Sequence, residues 1–293
     1  MEGLRFFKGL LHPGDVGRVT RGVLVRIGVR VTEVILGTDG AGTLEDGTPI
    51  VIYPVMESAD WRDDETLDPG WHIFSERVPG TFADYVAVPR RNAIPLPASI
   101  AALDASVLGT AWLTAYRTLF TKTSLEPGET LLVQGASGGL STALIQLGRA
   151  AGFEVWVTSR TAKGRELAER LGAHRTFAAN QRLPRKVQAV VDHIGPASWE
   201  HSMASVARGG TVVITGGTTG FNVTLPLLPM LSEQLTVCGS IMGTLQDMKN
   251  LLSFLVGTGI KPEIGQTFPM ERAEEALRAM WNGETRGKTV LTR

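Results

Sequence analysis

The densest concentration of groups able to do chemistry is TLLVQGASGGLSTALIQLGRAAG, Thr130 to Gly152. It divides into an apolar strand (TLLVQ), a small-residue turn (GASGGLS) and a helix (STALIQLGRAAG). That order leads through Ala136 and Ser137 to the backbone N–H groups of Gly138, Gly139 and Leu140 at a helix start. A helix start carries orphan donors and about half a positive charge, which suits a diphosphate. Aligned on G-x-G-x-x-G, the three positions are Ala136, Gly138 and Ser141. The pattern is loose, so a glycine-rich turn of some other α/β protein stays open as an alternative.

The next strand ends in TSRTAKGR, where a dinucleotide's adenosine ribose would lie. An acidic residue there would select NAD, and none is present. Thr158 and Ser159 can donate to a 2′-phosphate, while Arg160 and Lys163 can neutralise it. The residues therefore point to NADP(H), although the two cations could also begin a solvated helix. VVDHIG, VVITGG and CGSIMGT each carry an apolar run into a glycine-containing turn. Strand ends that open on one rim form the binding crevice of a doubly wound sheet. Thr215 and Gly216, with Gly243 and Thr244, are expected on its inner side, where simple turn roles remain open too.

These groups need a parallel sheet to position them. From Glu129 onward, short apolar runs alternate with helical segments of about ten residues, which implies βαβ units. Residues 1 to about 104 instead read as β-rich, with GVLVRIGV, PIVIYPV and an alternating GTFADYVAVP. A polar loop between them carries Trp61 and Trp71. ALDASVLGTAWLTAYRTLF has helical spacing, and RAEEALRAMWNGETRGKTVLTR closes the chain with a helix and a strand. The 293 residues suffice for two domains. Lys plus Arg and Asp plus Glu both total 29, so no global field favours nucleic acid or an anionic membrane. No run approaches the roughly 20 apolar residues of a membrane span. The single cysteine, Cys238, excludes an internal disulfide and any multi-cysteine zinc site, and fits a reducing cytoplasm.

Together LGTDGAG, GTFADYVAVP, GTAWLTAYRTLF, LEPGETLLVQGASGGLSTALIQLGRAAG, LGAHRTF and the terminal RGKTVL resemble the medium-chain dehydrogenase/reductase superfamily. The nearest likeness is to its zinc-independent, quinone-oxidoreductase-like branch. The resemblance implies an α/β protein: a Rossmann domain at residues 106–265 and a GroES-like, β-rich catalytic domain at 1–105 and 266–293. It also implies an active site in the cleft between them, Thr114 near a nicotinamide, and a homodimer joined through the strand near LTVCGSIM.

Two departures stand out. In LGTDGAG the family's zinc-binding histidine is replaced by Thr38, and His12 falls where a first cysteine ligand would be. One imidazole without partners cannot make a three-ligand catalytic zinc site. GLLHPGD also occurs almost at the start, so the catalytic domain is expected to be abbreviated, with a sheet edge exposed. No general acid stands out; Tyr53, His12 and Asp39 are the candidates near a substrate carbonyl. The expected activity is NADPH-dependent hydride transfer to a small molecule, a quinone or α,β-unsaturated carbonyl. An alcohol dehydrogenase-like carbonyl reductase and a non-catalytic NADPH-binding protein are the alternatives.

Overall fold

The computed structural model describes residues 5–7, 22–25 and 34–293. They form two compact units, one from Met1–Thr110, Gly243–Gly257 and Ile264–Arg293, the other from Ala111–Met242 and Thr258–Glu263.

The first unit begins with β1 (Arg5–Phe7), β2 (Gly22–Val25) and β3 (Val34–Ile35), an antiparallel sheet in that order. A second sheet has β5 (Pro49–Ile52) between β4 (Ala41–Thr43) and β8 (Ala93–Pro95), while β6 (Val55–Met56) pairs with β7 (His72–Ile73). Ile50, Ile52 and Phe74 centre its core, with Met56, Val78 and Val86 packed around them. GTFADYVAVP does not form the strand its alternation suggests. Its first amides bond instead to the carbonyls of Ile35, Leu36 and Gly37, which makes a loop rather than a ladder. The short helix α1 (Ala102–Ala105) ends this segment.

The predicted helix over ALDASVLGTAWLTAYRTLF is broken up. After α1, only α2 (Leu113–Arg117) is α-helical, and wider π-type turns cover Leu108–Trp112 and Thr118–Lys122. One glycine and four threonines of modest helix propensity lie from Gly109 to Thr121.

The second unit carries β9 (Thr130–Gln134), α3 (Gly139–Ala150), β10 (Glu154–Ser159), α4 (Ala162–Arg170) and β11 (Arg175–Ala178). It continues with β12 (Val187–Asp192), α5 (Pro196–Ser205), β13 (Val206–Ile214), α6 (Leu227–Ser232) and β14 (Thr236–Gly239). The six strands are all parallel, in the order β11-β10-β9-β12-β13-β14. Every residue of β9 is buried, as expected for a strand covered on both faces. Leu132, Trp156, Val190, Trp199 and Val212 belong to one core cluster. Helix α3 approaches the sheet closely at Gly148, where a Cβ would stand 3.1 Å from Val155.

The first unit is completed by most of α7 (Leu245–Thr258), then β15 (Ile264–Pro269), α8 (Ala273–Trp281) and β16 (Lys288–Thr292), with β15 parallel to β16. Among the described residues, no helix is long and apolar enough to cross a membrane.

Candidate cofactor site

The strand order reverses direction between β9 and β12, so their carboxyl ends flank the switch point where doubly wound sheets bind ligands. Leaving β9, Gly135 takes φ +91°, a left-handed conformation that strains any residue with a Cβ. Ala136 is buried beneath the turn and Ser137 is exposed. Gly138 then caps α3 with extended backbone and no side-chain acceptor. A Cβ built on Gly138 would meet no atom within 4 Å, so open space faces the start of the helix. The N–H groups of Gly139 and Leu140 begin that first turn, and the cradle fits a diphosphate.

At the end of β10, Ser159 is buried while Arg160 and Lys163 are exposed. Among the described residues neither cation has a hydrogen-bond or carboxylate partner. The Thr161 hydroxyl caps α4 by accepting from the Gly164 N–H at 3.1 Å. Arg165, which sequence reasoning passed over, donates to the Ser159 carbonyl at 3.2 Å and adds a third cation beside the other two. Its place inside TSRTAKGR was the available signal. Thr158 does not join this group: its hydroxyl is buried and donates to Gln134 Oε1 at 2.7 Å. The expectation that it meets a 2′-phosphate is corrected, because the side chain points into the unit rather than out of it.

On the other flank, β12 ends at Asp192 and is followed by His193. His193 Nε2 lies 3.2 Å from Ser141 Oγ, and its Nδ1 is buried without a partner. Burial holds the ring below the ordinary histidine range, so it is neutral near pH 7. After β13, the Thr215 N–H donates to the Asp192 carbonyl at 2.9 Å, while Thr215 Oγ1 is buried and unpartnered. Native proteins leave few such atoms unpaired, so these two are groups a ligand could satisfy. A Cβ on the neighbouring Gly216 would lie 3.3 Å from the His193 carbonyl. Thr114 is buried within α2. His193 was missed in the sequence, although VVDHIG sets a histidine just beyond an apolar strand.

The remaining candidates belong to the first unit. Tyr53 is fully buried and donates to the Gly243 carbonyl at 2.9 Å; burial pushes its pKa well above the usual phenol value. Asp39 Oδ2 accepts from Thr110 Oγ1 at 2.8 Å and Lys288 Nζ at 2.7 Å, while Oδ1 is buried and unpartnered. The Thr244 hydroxyl accepts from the Asp247 N–H at 3.0 Å and so caps α7. Trp61 Nε1 donates to the Asp64 carbonyl at 2.9 Å inside the polar loop. His12 lies outside the described residues. In LGTDGAG, Thr38 Oγ1 donates to the Phe74 carbonyl at 3.2 Å, and among the described residues no three His, Cys, Asp or Glu side chains converge.

Comparison with known proteins gives a consistent set of likenesses. A family profile described as "Zinc-binding dehydrogenase" matches residues 139–257. A quinone oxidoreductase of Pongo abelii is 27% identical over 237 residues, covering 74% of this chain and 70% of that one. A zinc-type alcohol dehydrogenase-like protein of Schizosaccharomyces pombe is 25% identical over 285 residues, covering 88% and 82%. The crystal structure of an NAD-dependent alcohol dehydrogenase superimposes with a TM-score of 0.82 at 28% identity, covering 89% of this chain and 83% of that one.

Proposed function

We propose, on the premise that this chain belongs to the medium-chain dehydrogenase/reductase superfamily and is an oxidoreductase of that type, that it uses NADP(H) without zinc to reduce a quinone or an α,β-unsaturated carbonyl compound. One observation carries the NADP(H) reading. Among the described residues, Arg160 and Lys163 stand exposed and unpaired at the end of β10, with Arg165 donating to the neighbouring Ser159 carbonyl and no carboxylate in TSRTAKGR to bind a ribose diol. Cations so placed suit a 2′-phosphate.

In this reading the Gly138–Leu140 turn holds the diphosphate through backbone N–H groups, and the cations hold the far phosphate. Thr215 Oγ1 and His193 Nδ1 supply hydrogen bonds within the crevice. Thr114, Gly216, Gly243 and Thr244 are proposed to line the cofactor path as well. The bound nicotinamide supplies the hydride, and the protein supplies orientation and electrostatics. His193 stays neutral, so it can pair with an amide or hydroxyl without adding charge. Once hydride has arrived, solvent can protonate a reduced quinone oxygen. Tyr53 is an unsuitable acid, since its proton is already given to Gly243 and its pKa is raised.

The substrate class rests on the likeness to a quinone oxidoreductase and on Thr38 in the zinc-histidine position. Similarity to a zinc-type alcohol dehydrogenase-like protein favours carbonyl reduction as the second reading. We also propose a homodimer. β14 is an edge strand, and Leu227, Leu228 and Leu231 just before it are each more than 70% exposed. Such an edge with an apolar flank suits a second copy. Cys238 has no disulfide partner and suits the reducing cytoplasm.

The test is NADPH and NADH oxidation measured on a panel of quinones, enones and simple ketones. NADPH-dependent turnover of quinones or enones is expected. Turnover confined to simple ketones would favour the second reading. Tight NADPH binding without turnover on any member would mean a binding protein instead.

A further inference from the structure

Beneath the crevice lies a connected chain of hydrogen bonds, buried at its centre around Gln134 and Ser202. Thr158 and Gln134 are cross-strand partners at the ends of β10 and β9, and Asp192 ends the next strand, β12. Helix α5 supplies His201, Ser202 and Ser198. His201 Nε2 lies 2.8 Å from the Gln181 carbonyl, which can only accept, so the ring proton is on Nε2. Gln134 Nε2 lies 2.8 Å from Nδ1, which accepts in that tautomer. The second amide hydrogen of Gln134 goes to Ser202 Oγ at 3.0 Å, and Ser202 donates onward to Asp192 Oδ2 at 2.6 Å. Gln134 Oε1 must then face Thr158, whose hydroxyl donates to it at 2.7 Å. The Thr158 oxygen has a lone pair left, and it accepts the N–H of Gly135 at 3.3 Å. At the other end, Asp192 Oδ1 accepts from the Ile194 and Gly195 N–H groups at 2.9 and 3.1 Å.

We propose that Gln134 is a positioning residue for cofactor binding: it orients Thr158 to hold the left-handed Gly135 turn that delivers the chain to the diphosphate cradle. The inference rests on the proposed reading that this cradle binds a dinucleotide. Gln134 touches no ligand. It acts because an amide is the one side chain of its shape that donates twice on one side and accepts on the other. Leucine would break both ends of the chain. A carboxylate would keep the acceptor towards Thr158 and lose both donors.

The variants Thr158→Val and Gln134→Glu test this. Wild-type protein should show a protected Gly135 amide in hydrogen exchange. In Thr158→Val the Gly135 N–H loses its acceptor. Its exchange should speed up and the NADP⁺ dissociation constant should rise about tenfold, the size of one unsatisfied N–H. Gln134→Glu removes both amide donors and keeps the acceptor towards Thr158, so Gly135 exchange should again speed up and the NADP⁺ dissociation constant should rise, by less than in Thr158→Val. A merely structural role for Gln134 would lower the melting temperature and leave Gly135 exchange and the NADP⁺ dissociation constant of the folded protein at their wild-type values.

The proposal is overturned if wild-type protein binds NADP⁺ and both variants match it within twofold. It is equally overturned if Gly135 exchange in both variants stays at the wild-type rate. Failure of the underlying reading looks different, because the wild-type titration itself would then be flat.

Discussion

Replacing Gly138 by alanine separates cofactor binding from folding, because the two demands on that position differ. Its backbone (φ −80°, ψ 160°) is open to any L-residue, and the added methyl would touch nothing within 4 Å. Loss of unfolded-state freedom should stabilise the variant by about 0.4–1 kcal/mol. Alanine is a poorer helix N-cap than glycine, which costs up to about 1 kcal/mol. The two effects nearly cancel, and Tm should move by no more than about 2 °C. With the dinucleotide bound, the methyl occupies the space through which phosphate oxygens must come within roughly 2.9 Å of the N–H groups. Loss of two charge-assisted bonds at about 1.5–3 kcal/mol each is at least 3 kcal/mol, or more than about 100-fold in affinity. Gly135→Ala supplies the contrast. There φ is +91° and the Cβ would lie 3.3 Å from His193 Nε2, so stability itself should fall by about 1–3 kcal/mol. Thermal melts and NADPH fluorescence titrations read both quantities. If Gly138→Ala keeps its Tm and binds NADPH within threefold of wild type, no diphosphate sits on this turn.

Arg160→Gln should weaken NADPH by about 1–2 kcal/mol, roughly 5- to 30-fold, and leave NADH within twofold; equal weakening in calorimetry would remove the basis for the 2′-phosphate assignment. Burial lowers the His193 pKa, so the unfolded chain binds more protons than the native one at and below about pH 6.5, and stability should fall as pH drops through that value. Denaturant midpoints from pH 7.5 to 5.5 should show that fall, and His193→Asn should flatten it by at most about 1.4 kcal/mol per pH unit. Leu228→Glu combined with Leu231→Glu should turn a dimer into a monomer in sedimentation analysis while the far-ultraviolet circular dichroism is unchanged; persistence of the dimer would move the interface elsewhere.

What could be read from the sequence follows from how local each determinant is. β9, β10, β12 and β13 were legible because each is a short apolar run next to its own helix, and burial on both faces leaves no alternation to confuse. The turn at Gly135–Leu140 was legible for the same reason, as strand, turn and helix start are contiguous. GTFADYVAVP misled because alternation reports a half-buried surface, whereas its amides found partners on the Leu36–Gly37 turn some forty residues earlier. Thr158 misled in a related way. A threonine beside Ser159 and Arg160 resembles a phosphate ligand, yet strand geometry turns alternate residues to opposite faces, and Thr158 faces Gln134. His193 and Arg165 were invisible as site residues because their roles depend on contacts with Ser141, 52 residues earlier, and on a backbone carbonyl.

The loose glycine pattern also has a physical explanation. In G-x-G-x-x-G the third glycine lets the helix pack closely on the strand. Here Ser141 takes that position and is almost fully buried, so its hydroxyl needs a partner. His193 provides one at 3.2 Å, and the same ring lies against Gly135, where a Cβ would stand 3.3 Å from Nε2 and 3.5 Å from Ser141 Oγ. The three residues therefore constrain one another: the serine is tolerated because the histidine satisfies it, and the histidine fits because position 135 has no side chain. Close packing has moved along the helix to Gly148, which meets Val155 and Leu131. The departure is a relocation of the requirement, and it makes a specific demand on experiment. Ser141→Gly alone should strand His193 Nε2 and lower stability by about 1–3 kcal/mol, even though it restores the family pattern. Paired with His193→Leu it should recover most of that loss, and a double-mutant cycle showing no coupling between the two positions would refute the linkage.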